Sequence, residues 1–187
     1  MAITALTPEQ AQTRLAELTI VDVRTPGEFA SGHLPGAHNV PLDSLDRATE
    51  ALQAAAARGP LLVVCASGAR SGQACERLSA LGIEVATLSG GTQAWAQGGR
   101  DVHKPGAGRA VWAMDRQVRF TAGSLVLAGA VAGAFWKPAL ILSGGVAAGL
   151  VYSAVSNTCA MAAMLSKLPH NRPRTGDLDA TLAALKG

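Results

Sequence analysis

Leu61-Leu62-Val63-Val64-Cys65-Ala66-Ser67-Gly68-Ala69-Arg70-Ser71 decides how this chain is read. Four aliphatic residues run into a cysteine with no polar alternation, the pattern of a strand buried on both faces. A loop of small residues follows, and residues 71–81 then predict a helix ended by Gly82. Working outward, residues 19–23 (Thr-Ile-Val-Asp-Val) are a second buried strand, closed by Arg24 and the breaker Pro26-Gly27. Residues 83–88 are a third, followed by Ser89-Gly90-Gly91. Residues 38–40 form a brief strand inside a Gly/Pro-rich stretch. Between them lie a helix start at Thr7-Pro8-Glu9-Gln10 with the elements of a capping box, a helix over 43–57, and a short helix over 92–97. Strands alternate with helices, so the first hundred residues are an α/β unit with a mostly parallel sheet.

The order strand, cysteine, small loop, helix has chemical consequences. The loop lacks the bulk to cover its own backbone, so its N–H groups are expected to curl toward the sulfur. The following helix adds its positive end, and Arg70 adds a cation. All three favour a thiolate at Cys65, and the thiolate is the nucleophilic form. The competing reading, a core thiol, suits free cysteines in general. The Gly68, Arg70 and Ser71 context argues against it here. Cys75 falls within the helix after the loop and reads as core packing. Cys65, Cys75 and Cys159 are widely spaced, with no C-x-x-C pair and no disulfide framework, so free thiols in a reducing compartment are expected.

Three segments carry a family resemblance. Asp22-Val23-Arg24-Thr25-Pro26-Gly27-Glu28-Phe29 with Gly32-His33-Leu34-Pro35-Gly36-Ala37 resembles the first signature of rhodanese-like domains. Val63 to Ser71 resembles the family's active-site loop, and Gly90-Gly91 with Trp95 its closing motif. The resemblance implies an α/β fold with about five parallel strands and flanking helices. It also implies a persulfide carried on Cys65. Four residues separate Cys65 from Arg70. Phosphatase relatives of the fold place one residue more there, widening the ring of N–H groups to hold a tetrahedral phosphate. The smaller ring suits a single sulfur atom. The expected reaction is sulfur transfer in two half-reactions, from a small sulfur-containing anion such as thiosulfate to cyanide or a thiol. The persulfide would rest in the loop Ala66, Ser67, Gly68, Ala69 and Arg70, with no metal or organic cofactor required. Arg24 is a candidate for binding an anionic donor, with an ion pair to Glu28 or Asp22 as its alternative. Asp22 is expected to anchor the loop, His33 to hydrogen-bond the backbone, and Trp95 to pack.

The C-terminal third has a different physics. From Phe120 to Ser166 the only charged residue is Lys137. Residues 120–136 and 138–156 are each about long enough to cross a bilayer core. Arg109, Arg116 and Arg119 precede the pair, and Lys167, Arg172 and Arg174 follow it. That asymmetry predicts two spans with both termini cytoplasmic and the turn at Trp136-Lys137-Pro138 outside. No signal peptide is expected, because residues 1–18 lack a basic start and a long apolar core. Gly129/Gly133 and Gly145/Gly149 form G-x-x-x-G steps, suited to the intrachain hairpin and to a homodimer. Residues 117–123 and 156–161 resemble the two-helix domain of the bacterial inner-membrane rhodanese family, which implies location in the inner membrane. The expected division is 1–103 rhodanese-like domain, 104–116 linker, 117–168 transmembrane hairpin with an interfacial extension, and 169–187 cytoplasmic tail. Cys159, just past the second span, is either a small interfacial residue or a sulfur acceptor. The net charge of +3 has no basic stripe, so no nucleic-acid partner is expected. Two other functions fit the layout: a membrane-bound persulfide or redox sensor, and thiosulfate or thiocyanate translocation through an oligomeric hairpin.

Overall fold

In the computed structural model, the central strand of the first unit is the apolar run that ends at Cys65. Residues 3–104, 112, 114–156, 160–169, 171 and 175–187 are described. They divide into Met1–Ala110 with Pro173–Gly187, and Val111–Arg172. Five parallel strands, β1 (Thr4–Leu6), β2 (Thr19–Asp22), β3 (His38–Asn39), β4 (Leu61–Val64) and β5 (Val85–Leu88), lie in the order β1-β5-β4-β2-β3. All four residues of β4 are buried because helices cover both faces of the sheet. Strand β1 has no counterpart in the sequence reading: it has three residues, two of them exposed, too short for a periodic pattern.

Side chains alternate across the sheet and so sort into two cores. Val21, Val63 and Cys65 face one side, packed with Leu45 and Leu52 of α3 (Leu45–Arg58) and Cys75 and Leu78 of α4 (Ala69–Ala80). Ile20, Leu62 and Val64 face the other, with Ala11 of α1 (Pro8–Thr13) and Trp95 of α5 (Gly91–Gln97). The capping box at Thr7/Gln10 forms with both of its bonds. A second one, Thr25/Glu28, starts α2 (Pro26–Ala30). Helix α3 is preceded by a 3-10 turn, Leu42–Ser44, so the predicted start at 43 moves two residues on.

The second unit holds α6 (Met114–Phe135), a 3-10 turn Lys137–Ala139, α7 (Leu140–Ser156) and α8 (Ala160–Leu165). Arg116–Phe135 and Lys137–Ser156 are each 20 residues long and apolar enough to cross a membrane. Their large side chains face outward, Phe135 at 91% exposure and Val155 at 85%, as a lipid-facing surface does. Helix α6 starts before residue 117, so part of the expected 104–116 linker is helical. Gly129 meets Ser143 and the Ala139 carbonyl, and Gly133 meets Leu140. Ser143 Oγ also donates to the Val126 carbonyl at 2.9 Å. The α6 glycines therefore serve the hairpin. The α7 glycines Gly145 and Gly149 have nothing beside them among the described residues. Near the start of α6, Gln117 exchanges two amide hydrogen bonds with Asn171, 2.9 and 3.2 Å. Residues 157–159 lie outside the described set, and with them Cys159 and the expected continuity of the interfacial helix.

The chain then returns to the first unit. Helix α9 (Thr175–Lys186) buries Leu178 and Leu185 (1% exposed), with Leu182 packed on the α3/α4 core. Arg58 of α3 donates to the carbonyls of Leu185 and Lys186, and Lys186 pairs with Glu50 at 3.0 Å. The stretch expected as a tail thus contributes a helix to the core of the first unit.

Candidate active site

Cys65 follows directly on β4 and is 1% exposed, at the floor of a loop whose Ser67 reaches solvent. The Gly68 N–H donates to its Sγ at 3.1 Å. Two backbone bonds from the start of α5 set the loop's orientation. Thr92 N–H donates to Cys65 O at 2.8 Å, and Gln93 N–H to Ala66 O at 3.0 Å. In a trans peptide the N–H points opposite to its C=O, so the Ala66 and Ser67 N–H groups turn away from α5. Gly91 makes this approach possible. A Cβ there would overlap the Cys65 and Ala66 carbonyls, and its φ of +60° disfavours other residues.

Helix α4 begins at Ala69, with Gly68 (φ +107°) as its N-cap. It starts two residues earlier than the sequence predicts, so Arg70 lies in the first helical turn rather than in the loop. The positive end of a 12-residue helix therefore abuts the sulfur. The Arg70 side chain, 25% exposed, forms a two-pronged pair with Glu28, both contacts 2.8 Å. Burial works against the Arg70 charge. The Glu28 hydrogen bonds and charge, with help from Cys65 and Asp22, outweigh it and raise the arginine's pKa. Glu28 is itself the N3 residue of α2, bonded to Thr25. The pair thus ties α2 to α4 beside the loop.

Arg24 takes the alternative partner foreseen for it. Its Nε and Nη2 bond Asp22 at 2.7–3.0 Å, and Nη2 also reaches the Gly32 carbonyl at 2.7 Å. Asn39 closes this knot from β3 by donating to the carbonyls of Asp22 and Arg24. His33 Nδ1 lies 2.9 Å from the Phe29 carbonyl and its ring stacks on Phe29. Burial lowers its pKa against that backbone bond. Trp95 is buried and donates from Nε1 to Asp101 O at 2.8 Å. Cys75, buried on α4, is pushed up to about 12 by burial, with smaller contributions from Cys65 and Glu76.

Three residues of this site escaped the sequence reading. The sequence suggests Glu28 only as a partner of Arg24. Ser71 stands in the loop motif with no contact to the sulfur evident from sequence, yet its Oγ lies 3.5 Å from Cys65 Sγ. Thr87 lies on β5, 2.7 Å from Ser71 Oγ. The signal for Ser71 was its place in the buried stripe 71, 74, 75, 78 of α4, where the other members are apolar.

Residues 7–98 match the rhodanese-like domain, and residues 111–174 match the transmembrane domain described as inner membrane protein YgaP-like. A Synechocystis sp. protein of uncharacterised function is 41% identical over 156 residues, covering 82% of this chain and 84% of that one. The thiosulfate sulfurtransferase GlpE of Stutzerimonas stutzeri is 39% identical over 90 residues, covering 47% of this chain and 80% of its own. A rhodanese-related protein of Thermoplasma volcanium has a similar solved structure, with TM-score 0.51 and 28% identity, covering 55% of this chain and 99% of that one. With this loop and this pair of apolar helices, the chain belongs to the rhodanese-like family and carries a YgaP-like transmembrane domain.

Proposed function

We propose that the protein is a membrane-anchored sulfurtransferase that moves a sulfane sulfur from a donor such as thiosulfate to a thiophilic acceptor through a Cys65 persulfide. The Gly68 N–H on Cys65 Sγ, at the mouth of α4, carries this reading. The Cys65 thiolate attacks the outer sulfur of thiosulfate. A new S–S bond forms, the old one breaks, and sulfite leaves with its electron pair. The negative charge moves to the terminal sulfur, within reach of the loop N–H groups. Cyanide or a thiolate then takes that sulfur and restores the Cys65 thiolate. The name of the Stutzerimonas relative, a thiosulfate sulfurtransferase, supports the donor class.

Arg24 and Arg70 already face carboxylates, so their role toward an anionic donor is to keep the site electrically balanced rather than to supply a bare charge. The two apolar helices make a bilayer the lasting partner of the second unit. Residues on both sides of the hairpin belong to the first unit, which supports one side of the membrane for both termini. Arg116, Arg119 and Lys167 flank the spans, against Lys137 alone at the turn, and that side is then the cytoplasm. The open Gly145/Gly149 face of α7 is the surface left for a second copy. Ser143 and Ser153 bond helix carbonyls rather than lining a path, which favours an anchor over a conduit.

Thiocyanate production from thiosulfate and cyanide by the detergent-solubilised chain tests the proposal. Turnover is expected for the native protein and abolished in Cys65→Ser. Equal turnover in the two would refute a Cys65 carrier.

A further inference from the structure

We propose that Ser71 is a second catalytic residue, which turns its hydroxyl hydrogen onto the Cys65 sulfur as the thiol becomes a thiolate, and that Thr87 is the positioning residue that makes the turn possible. Ser71 Oγ is buried and meets three groups: Cys65 Sγ at 3.5 Å, Gly68 O at 3.0 Å and Thr87 Oγ1 at 2.7 Å. The sheet register pairs Thr87 with Val63, so both face the side of the sheet that holds Cys65 and α4.

A hydroxyl has one hydrogen and two acceptor sites. While Cys65 is a thiol, its S–H donates to Ser71 Oγ, Thr87 O–H donates to the same oxygen, and Ser71 O–H donates to Gly68 O. Every position on Ser71 is filled. When the thiol proton leaves to solvent, the sulfur turns from donor to acceptor. Ser71 O–H rotates from Gly68 O to Sγ, and Thr87 continues to fill its acceptor site. Gly68 O is not orphaned, because the Gly72 N–H already bonds it at 2.9 Å in the first turn of α4. The thiolate then has two donors, Ser71 O–H and Gly68 N–H. Transfer of sulfur onto Cys65 moves the charge to the terminal sulfur, so the hydroxyl is free to swing back. No bond to Ser71 or Thr87 is made or broken.

The charged and titratable groups around the sulfur are Arg70 and Cys75 on α4, Glu28 on α2 behind Arg70, and Asp22 with Arg24 at the end of β2. Helix α3 packs on the same core, but its Asp46, Arg47 and Glu50 are paired at the surface with Arg77, Asp179 and Lys186. Its Arg58 bonds carbonyls of α9. Strand β5 and helix α5 bring no titratable side chain. Removing a hydroxyl therefore leaves the charges in place.

The test is the pH profile of Cys65 alkylation by iodoacetamide in the detergent-solubilised full chain, read on the Cys65 peptide by mass spectrometry. It needs no assumption that the sulfur is transferred. Ser71→Ala is expected to move the midpoint alkaline by about one pH unit, the size of a hydrogen bond to a charged group. Thr87→Val is expected to move it the same way by less, and Thr87→Ser to restore it. At a pH below the midpoint, sulfur loading from thiosulfate is expected to fall about tenfold in Ser71→Ala and to converge on the native rate at alkaline pH. A midpoint unchanged in Ser71→Ala overturns the proposal. If that variant does not fold, an unchanged midpoint in Thr87→Val overturns it. A shifted midpoint in a chain whose Cys65 accepts sulfur from no donor would leave the hydroxyl pair standing and remove the transferase reading.

Discussion

Cys65 and Cys75 are both buried thiols, yet their surroundings prepare them for opposite roles. Cys65 sits under an open loop with an N–H on its sulfur. Cys75 sits between α4 and the sheet, with a pKa pushed up to about 12. At pH 8, iodoacetamide is expected to modify Cys65 in the folded chain and to spare Cys75, read by peptide mass. The same shift has a stability consequence. A thiol whose pKa is raised by folding stabilises the fold fully below its unfolded value near 9, and that contribution fades as pH rises toward 12. Thermal unfolding of the native chain is expected to lose ground over that window relative to Cys75→Ala, and parallel pH profiles of the two would contradict this. Glu28 is the residue whose loss should be felt most near the loop. Glu28→Gln leaves Arg70 without its counter-charge, at a cost of about 3 kcal/mol, the low end for a buried pair because the arginine is partly exposed. A drop in the thermal midpoint measures it. The cysteine, the small-residue loop and the arginine were legible because they are consecutive. The partners of Arg70 and Ser71 were not, because they lie 42 and 16 residues away and meet only in the folded sheet.

At the scale of elements, the strands β2, β4 and β5 were legible from their apolar runs, and their parallel sense followed from alternation with helices, whereas their order in the sheet was not. The start of α4 was misplaced by two residues because Ala69 and Arg70 look like loop when read after Gly68. Their membership in the first turn depends on the backbone conformation at Gly68, which composition does not encode. Helix α9 shows the same limit from the other side. The sequence reads this stretch as a cytoplasmic tail, although Leu178, Leu182 and Leu185 share a helical face in the structure. Its partner α3 lies more than a hundred residues earlier, across the hairpin. Leu185→Ala is expected to destabilise the first unit by about 2–4 kcal/mol, as a large-to-small change in a packed core does. An unchanged thermal midpoint would show that α9 is dispensable.

For the whole molecule, the chain leaves the first unit, forms two apolar helices and returns to complete the same unit. That connectivity makes the topology testable. In intact bacterial cells, Lys137→Cys in a Cys159→Ser background is expected to react with a membrane-impermeant maleimide, while a cysteine placed at Ser44 reacts only after lysis. The reverse pattern would invert the proposed orientation. The division into an α/β unit and a hairpin was legible because charge vanishes abruptly after Arg119. The return of the last helix was not, since its packing partner is set by tertiary structure.

The central claim is that Cys65 carries sulfur as a persulfide. Intact mass of the detergent-solubilised chain after incubation with thiosulfate tests it most directly. A gain of about 32 Da, one sulfur atom, is expected on the native protein and no gain on Cys65→Ser. A native chain with reduced Cys65 that gains no mass from thiosulfate or any other sulfane donor would contradict the account.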